Sequence, residues 1–375
     1  MKMTTDPIGL YVHIPFCLKK CVYCDFCSFP VNYVSRREDY IDALCEEIRS
    51  YKFKEVSIDS IFFGGGTPTL LSGEEFCKIV SAINESFNVL PNAEFTVEAN
   101  PKTLNEENLR AYISCGVNRV SIGLQTIHEN ELKKLGRVHS LTDFSDTYSL
   151  VRRCGVKNVS VDLMYGIPEQ TPDSFKETLD YVTKLSPEHI SLYGLIIEDG
   201  TYLSDNLSQY RIPSEDEECD MYYLAAKLLA DRGYSHYEIS NYSKPNFSCK
   251  HNLKYWRSEE YIGVGVAAYS YFEGERYGNS REYDKYLLNF KECREFSEKI
   301  QGDSEKYEFA MLALRLSEGF SLSEYEERFG ESFLTGRDEI LDKLLKSNLL
   351  KVDSGRIYLT EEGFYVSNSI LTELL

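Results

Sequence analysis

Positive charge is scarce in this chain: 375 residues carry 41 Lys and Arg against 60 Asp and Glu, a formal net charge of −19 at pH 7. Such a balance repels phosphate backbones and argues against a protein built to wrap nucleic acid. Long apolar runs are missing too. No stretch approaches the ~20 residues a membrane helix needs, and the opening Met1-Lys2-Met3-Thr4-Thr5-Asp6-Pro7 contains no hydrophobic segment of the kind that directs secretion. No integral membrane segment is therefore expected, and the expected location is the cytoplasm. Internal repeats and low-complexity tracts are absent, and tryptophan occurs once, at position 256. With 42% apolar and 27% charged residues, the composition is that of a globular protein of two or three domains, which excludes disorder, collagen and coiled coil.

Cysteine is plentiful. Eleven is an odd number, and without a secretory signal these residues are not expected to build a disulfide framework, which leaves metal ligation as the better expectation. Cys17, Cys21, Cys24 and Cys27 cluster, whereas Cys45, Cys77, Cys115, Cys154, Cys219, Cys249 and Cys293 are scattered singly and read as small buried hydrophobes.

From residue 8 to about 200, β-branched and aromatic runs alternate with helical spacing. Strands are predicted at Gly9 to Ile14, Ser57 to Phe63, Glu94 to Glu98, Arg119 to Gln125, Ser160 to Tyr165 and Ile190 to Ile196, with helix-period apolar residues between them, such as Ile41, Leu44, Cys45 and Ile48. Repeated β-then-α units pair their strands in parallel through right-handed crossovers, and the run Ile61-Phe62-Phe63 suits a strand covered on both faces. The expected fold class is α/β, a full or partial (β/α)6 barrel. Residues at the C-terminal strand ends, His13 to Cys24, Gly64 to Thr67, Glu98, Gln125 and Asp162, would then converge on one face. The expected division is 1–212 for the barrel, 213–300 for an extension and 301–375 for a small C-terminal domain. In that last part, helices around 304–316, 321–329 and 336–347 precede a hairpin at 350–359, a winged-helix-like order. Its 15 acidic and 8 basic side chains point to packing on the barrel or on a partner rather than to DNA.

The segment Tyr11-Val-His-Ile-Pro-Phe-Cys17-Leu-Lys-Lys-Cys21-Val-Tyr23-Cys24 has C-x3-C-x2-C spacing. Three thiolates on one loop can each hold one iron of a cubane and leave the fourth iron open. The alternatives are a zinc knuckle, which would want a fourth ligand from a second pair, or free buried cysteines. Phe63-Gly64-Gly65-Gly66-Thr67-Pro68 is either a ligand-approaching loop or a tight turn, and Glu98, Gln125, Arg137 and Asp162 taken singly are compatible with ordinary surface or capping roles.

Together these motifs resemble the radical S-adenosylmethionine (SAM) enzymes, whose cysteine loop holds a 4Fe-4S cluster chelated at its open iron by SAM; Tyr23, just before the third cysteine, fits as well. The resemblance implies one-electron reduction of SAM. Along nearly the whole chain the sequence is similar to oxygen-independent coproporphyrinogen III oxidase and its relatives, which implies a SAM site formed by Tyr11, Tyr23, Gly65, Gly66, Thr67, Glu98, Gln125, Arg137, Asp162 and Ile196, with Arg137 donating to a carboxylate. True oxidases carry C-x3-C-x2-C-x-C, whereas here Asp25 and Phe26 follow Cys24 and the fourth cysteine comes one residue later. Cys27 is thus a spare thiol beside the cluster or a substitute ligand.

The segment His251-Asn252-Leu253-Lys254-Tyr255-Trp256 resembles the H-N-x-x-Y-W element of the HemW heme chaperone family, against the plainer alternative of a loop histidine beside a core tryptophan. The resemblance implies that His251 ligates heme iron and that Asn252, Tyr255 and Trp256 complete its site. The expected function is binding of heme and its delivery to an acceptor protein, with a one-electron donor protein as a further partner. No residue is assigned a catalytic role. The alternatives are an oxidase that decarboxylates coproporphyrinogen III and a scaffold with a vestigial cluster.

Overall fold

The computed structural model describes residues 6–33, 36–52 and 55–375. Six strands run in parallel, β1 (Ile8–Ile14), β2 (Ser57–Gly65), β3 (Asn88–Ala99), β4 (Arg119–Gln125), β5 (Asn158–Tyr165) and β6 (His189–Gly194). Helices separate β1 to β6, and several begin where the sequence supplies a cap: Ser72 with Glu75, Ser140 with Asp143, and Thr171 with Ser174 each form a reciprocal capping box. β6 stops at Gly194, so Ile196 lies in the following loop rather than in the strand.

The series does not close on itself. Further strands extend its two edges: β7 (Ser235–Glu238) pairs antiparallel with β8 (Asn241–Ser243), which adds antiparallel to β6, while β9 (Tyr261–Val264) pairs parallel with β1 and continues into antiparallel β10 (Tyr269–Phe272), β11 (Glu275–Asn279) and β12 (Arg294–Lys299). The result is a partial α/β barrel within one 12-stranded sheet. Glu47, buried on the first helix, fastens the added strands. Its carboxylate accepts from the Gly265 backbone (2.7 Å), the Asn279 amide (2.7 Å) and the Tyr286 hydroxyl (2.6 Å). These donors reduce the cost of burying a charge that desolvation would otherwise remove.

Alternation along each strand sends aliphatic residues outward to the helices, where Leu10, Val12, Ile61, Phe63, Val97, Ile122 and Val161 join one core with Leu44, Phe76 and Leu179. The intervening residues face the barrel interior, and most are polar. Ser121 and Ser160 donate to Asp162 (2.9 and 3.3 Å), Ser160 meets His189 (2.8 Å), and Arg119 donates to Thr96 (3.4 Å). The expectation that Ile61-Phe62-Phe63 is apolar on both sides is thus met locally, because Phe62 stacks on His251 at 5.3 Å, but most of the interior is a hydrogen-bonded polar column.

The C-terminal unit packs helices Asp303–Ala313, Leu322–Phe329 and Asp338–Lys346 against a three-stranded sheet, Phe320–Ser321, Arg356–Leu359 and Leu350–Asp353. It has its own core around Phe320, Tyr325, Phe333 and Ile357, which Tyr222 of the preceding segment enters. Among the described residues no helix is long and apolar enough to cross a membrane.

Candidate functional site

At the C-terminal ends of the strands lies a cavity of about 510 Å³. Cys17, Cys21, Cys24, Tyr23, Gly65, Gly66, Thr67, Glu98, Gln125, Arg137, Asp162 and Ile196 all line it. Segments separated by up to 179 residues in sequence meet here because each follows or closes a strand of one parallel series.

The cysteine loop is held from beneath. His13 donates from Nε2 to the Cys27 carbonyl (2.8 Å), which fixes its tautomer and leaves Nδ1 to accept from the Tyr11 hydroxyl (3.0 Å). From the side, the Val22 backbone donates to Leu135 (3.1 Å) and that of Leu203 to Val22 (2.9 Å). Thr67 donates to Cys17 Sγ at 3.7 Å and Arg137 Nη1 to Cys21 Sγ at 3.6 Å, so both sulfurs already face donors suited to thiolates. Burial pushes the thiols of Cys17 and Cys24 upward, a cost that a metal removes by taking the thiolate form. Among the described residues no three His, Cys, Asp or Glu side chains close around one ion-sized point. A cubane asks for something else, one thiolate at each of three separate irons along a wall, and the donor set fits that.

Arg137 is half-buried, with Nη2 donating to the Asn100 side chain (2.6 Å) and the Gly123 carbonyl (2.8 Å) while its buried Nε has no partner. An orphaned guanidinium N–H beside a cavity suits a carboxylate. Opposite in sign, Glu98 accepts from the Gly65 backbone at 3.2 Å, and burial together with the nearby Asp162 pushes its pKa up to about 8. A carboxyl in that state turns into a strong acceptor once a cation arrives. SAM carries a carboxylate, an ammonium and a sulfonium, and these residues fit that set. Gln125 adopts φ 70, a left-handed conformation costly for a residue with a Cβ and characteristic of functional sites.

Raising Glu98 in the folded state favours its protonated form, so stability present at acid pH is lost as pH rises from its ordinary value of 4.5 to about 8. Glu98→Gln is therefore expected to raise the thermal midpoint of the ligand-free chain at pH 8 more than at pH 5, while weakening SAM binding. Equal midpoint shifts at both pH values would contradict the assignment.

The glycines have a steric reason. Gly65 has φ +108, and a Cβ there would meet the His13 ring at 2.5 Å. Gly155 has φ +92 with nothing within 4 Å, so Gly155→Ala isolates the backbone strain, of order 1 kcal/mol. Gly65→Ala is expected to lower the thermal midpoint by clearly more, and to shift the cysteine loop through His13.

Several expected site residues lie elsewhere. Tyr11 is beneath the cavity, in one ring cluster with Phe62 (6.3 Å) and His251 (6.4 Å). Cys27 does not line it either; its Sγ points to the Arg281 carbonyl at 3.4 Å. His251, Asn252, Tyr255 and Trp256 belong to the helix Lys250–Trp256, which plugs the opposite end of the barrel. There the Cys249 thiol and the His251 backbone donate to Glu94 (3.4 and 3.2 Å), and Lys254 donates to the Pro7 carbonyl (2.9 Å). His251 is 1% exposed, with Nδ1 against Ser60 Oγ (3.1 Å) and Nε2 against Tyr255 Oη (2.8 Å). Both ring nitrogens are engaged and burial lowers its pKa to about 3. In the ligand-free chain an axial bond from His251 to heme iron therefore requires the hydrogen bond to Ser60 or to Tyr255 to be given up. Trp256 lies under the Arg315 guanidinium at 5.9 Å, on the side of the C-terminal unit.

Sequence reasoning missed Asn100, which bridges Arg137 and Thr67 (2.7 Å). Its position just past β3 was the available signal. His139 also lines the cavity and donates to the Leu124 carbonyl at 3.2 Å.

Residues 11–182 match the model of the Radical SAM superfamily and residues 304–366 that of the HemN C-terminal domain. The chain is 36% identical to the heme chaperone HemW of Lactococcus lactis over 376 residues, covering 100% of this chain and 98% of that one. It belongs to the HemW heme chaperone family. The Bacillus subtilis member is 33% identical, with 97% and 98% covered, and the Escherichia coli member 32%, with 97% of each. The family sits within the radical SAM superfamily, a class of 4Fe-4S and SAM proteins. The crystal structure of E. coli coproporphyrinogen III oxidase superposes with a TM-score of 0.86 over 98% of this chain and 90% of that one, at 23% identity, a shared fold.

Proposed function

We propose that this protein binds heme and delivers it to an acceptor protein, holding a 4Fe-4S cluster on Cys17, Cys21 and Cys24 and SAM in the adjoining cavity. The observation that carries the cofactor assignment is the convergence of three thiols, the Arg137 guanidinium and the Glu98 carboxyl on one cavity. Heme delivery is inferred from family membership over the full chain. When bound, the cluster supplies one-electron reduction of SAM. The chain's own residues do the rest: Arg137 receives the carboxylate, Glu98 loses its proton to receive a cationic group, and Gly65, Gly66 and Thr67 bring backbone close to the ligand. A cytoplasmic setting and a protein electron donor belong to the same proposal.

The oxidase alternative receives less support. After Cys24 come Asp25 and Phe26, and Cys27 faces Arg281 rather than the cavity, so the fourth cysteine of the oxidase pattern has no counterpart in place. The test is anaerobic reconstitution followed by electron paramagnetic resonance of the reduced cluster. Added SAM is expected to change the spectrum of the wild type and to leave that of Arg137→Ala unchanged. A wild-type spectrum indifferent to SAM would overturn the cavity assignment.

A further inference from the structure

Two of the cysteines that are scattered in sequence meet in the fold. Cys77 lies on the helix Gly73–Ser86, which follows β2, and Cys115 ends the helix Glu106–Ser114, which follows β3. Both helices are crossovers of one parallel series, so they run in the same direction, side by side on the outside of the barrel. They pack closely. The Gly73 backbone donates to Asn108 Oδ1 (3.1 Å), the rings of Phe76 and Tyr112 are 4.2 Å apart, and a Cβ built on Gly73 would come within 2.7 Å of the Ala111 Cβ. Glycine at position 73 is what permits so short a separation. One turn further along each helix, on the same faces as Gly73 and Ala111, stand Cys77 and Cys115.

The two thiols are in hydrogen-bond contact, and burial together with the Cys77 thiol pushes Cys115 up to about 12. Neither is sealed from solvent, since both residues are half-buried. A disulfide asks for Cβ atoms about 3.8 Å apart on elements that need not move, and helices packed through a glycine bring facing residues into that range. Cys45, Cys249 and Cys293, by contrast, are buried, and the half-buried Cys219 lies against Tyr365.

We propose that Cys77 and Cys115 form a reversible dithiol–disulfide site, which takes its oxidising equivalents from a small disulfide of the glutathione type and staples the two outer helices behind β2 and β3. The Cys77 thiolate attacks one sulfur of the small disulfide, whose S–S bond breaks. A mixed disulfide forms, and the first small thiolate leaves and takes up the proton that Cys77 gave up. Cys115 Sγ then attacks Cys77 Sγ, the S–S bond of the protein forms, and the second small thiolate leaves with the Cys115 proton. Two electrons and two protons pass from the cysteine pair to the small disulfide, which ends as two thiols. Cys115 follows rather than leads because it holds its proton more tightly than an ordinary thiol. β2 and β3 carry Gly65 and Glu98 to the cavity, so the staple stiffens the scaffold beneath them. The site stands apart from the heme and cofactor reading.

The experiment incubates the cluster-reconstituted full-length protein anaerobically with glutathione at rising ratios of disulfide to thiol, then alkylates the remaining thiols and maps the digest by mass spectrometry. A peptide joining Cys77 to Cys115, lighter by two hydrogens than its halves together, is expected at a ratio about tenfold lower than that at which Cys154 or Cys219, half-buried as well, first carries glutathione, because closure of the pair is intramolecular. Excess dithiothreitol is expected to restore both thiols. Cys115→Ser is expected to trap Cys77 as its glutathione adduct, and Cys77→Ser to leave Cys115 alkylated at ratios where the wild type is linked. If either variant folds poorly, the wild-type map alone decides. Cys77 and Cys115 alkylated separately at every ratio, or each carrying glutathione with no link between them, would overturn the site.

Discussion

Replacing His251 with alanine is expected to cost the fold about 3–5 kcal/mol. The imidazole is wedged at the barrel base, its ring 5.3 Å from that of Phe62 and edge-on to Tyr255, with both nitrogens hydrogen-bonded. Alanine leaves a hole and strands the hydroxyls of Ser60 and Tyr255 away from water, so the cavity cost and the unmade hydrogen bonds add. The pH dependence gives a second handle. Burial lowers the His251 pKa from 6.5 to about 3 in the folded chain, so between these values the unfolded state binds the extra proton, and the stability contributed by the neutral ring is present above pH 6.5 and is lost as pH falls. The alanine variant lacks this sensitivity. Denaturant unfolding at pH 7 and pH 5 is therefore expected to show a large gap between wild type and variant that narrows at the lower pH; a gap that stays constant, or a variant as stable as the wild type, would show that His251 does not hold the base together.

The second large effect concerns the thiols. Alanine at Cys17, Cys21 or Cys24 is expected to abolish cluster assembly, whereas Cys27→Ala is expected to retain it. The distinction comes from direction rather than burial, since Cys17 and Cys27 are buried to a similar degree, at 9% and 8% exposure. Cys17 faces the cavity and accepts from Thr67, while Cys27 turns its sulfur toward the Arg281 carbonyl on the far side of the loop. Iron and sulfide content after anaerobic reconstitution reads the difference, and loss of iron on changing Cys27 would sink the three-thiolate assignment.

Much of the cavity was legible from the chain alone because in a parallel β/α series the strand ends are predictable and converge by topology. That rule puts Glu98, Gln125 and Asp162 on one face, and all three line the cavity. The cysteine spacing carried its own chemistry. What could not be read was the other end of the barrel. The helix Lys250–Trp256 follows β8, and β9 then crosses to pair with β1, joining residues about 250 positions apart; no local pattern announces such a pairing. The hexapeptide His251 to Trp256 names residues able to bind heme but not the direction in which they point, and a histidine between Ser60 and Tyr255 has the same sequence as one facing solvent. The polar interior was hidden for a related reason. In Glu94-Phe95-Thr96 the alternation is visible, yet whether the polar face meets water or a closed barrel depends on strands that arrive later in the chain. The cavity mouth shows the converse, since the exposed Phe26, Val138 and Ile196 are ordinary singly and come together there only when three segments meet.

The most direct measurement incubates the reconstituted protein anaerobically with SAM, reductant and coproporphyrinogen III, alongside a hemin titration of the same preparation and transfer to an apo-hemoprotein. The account predicts that hemin is retained near one equivalent, passes to the acceptor, and that no protoporphyrinogen forms. Repeated conversion of coproporphyrinogen III with release of carbon dioxide, and no stable heme complex, would contradict it and make this chain an oxidase.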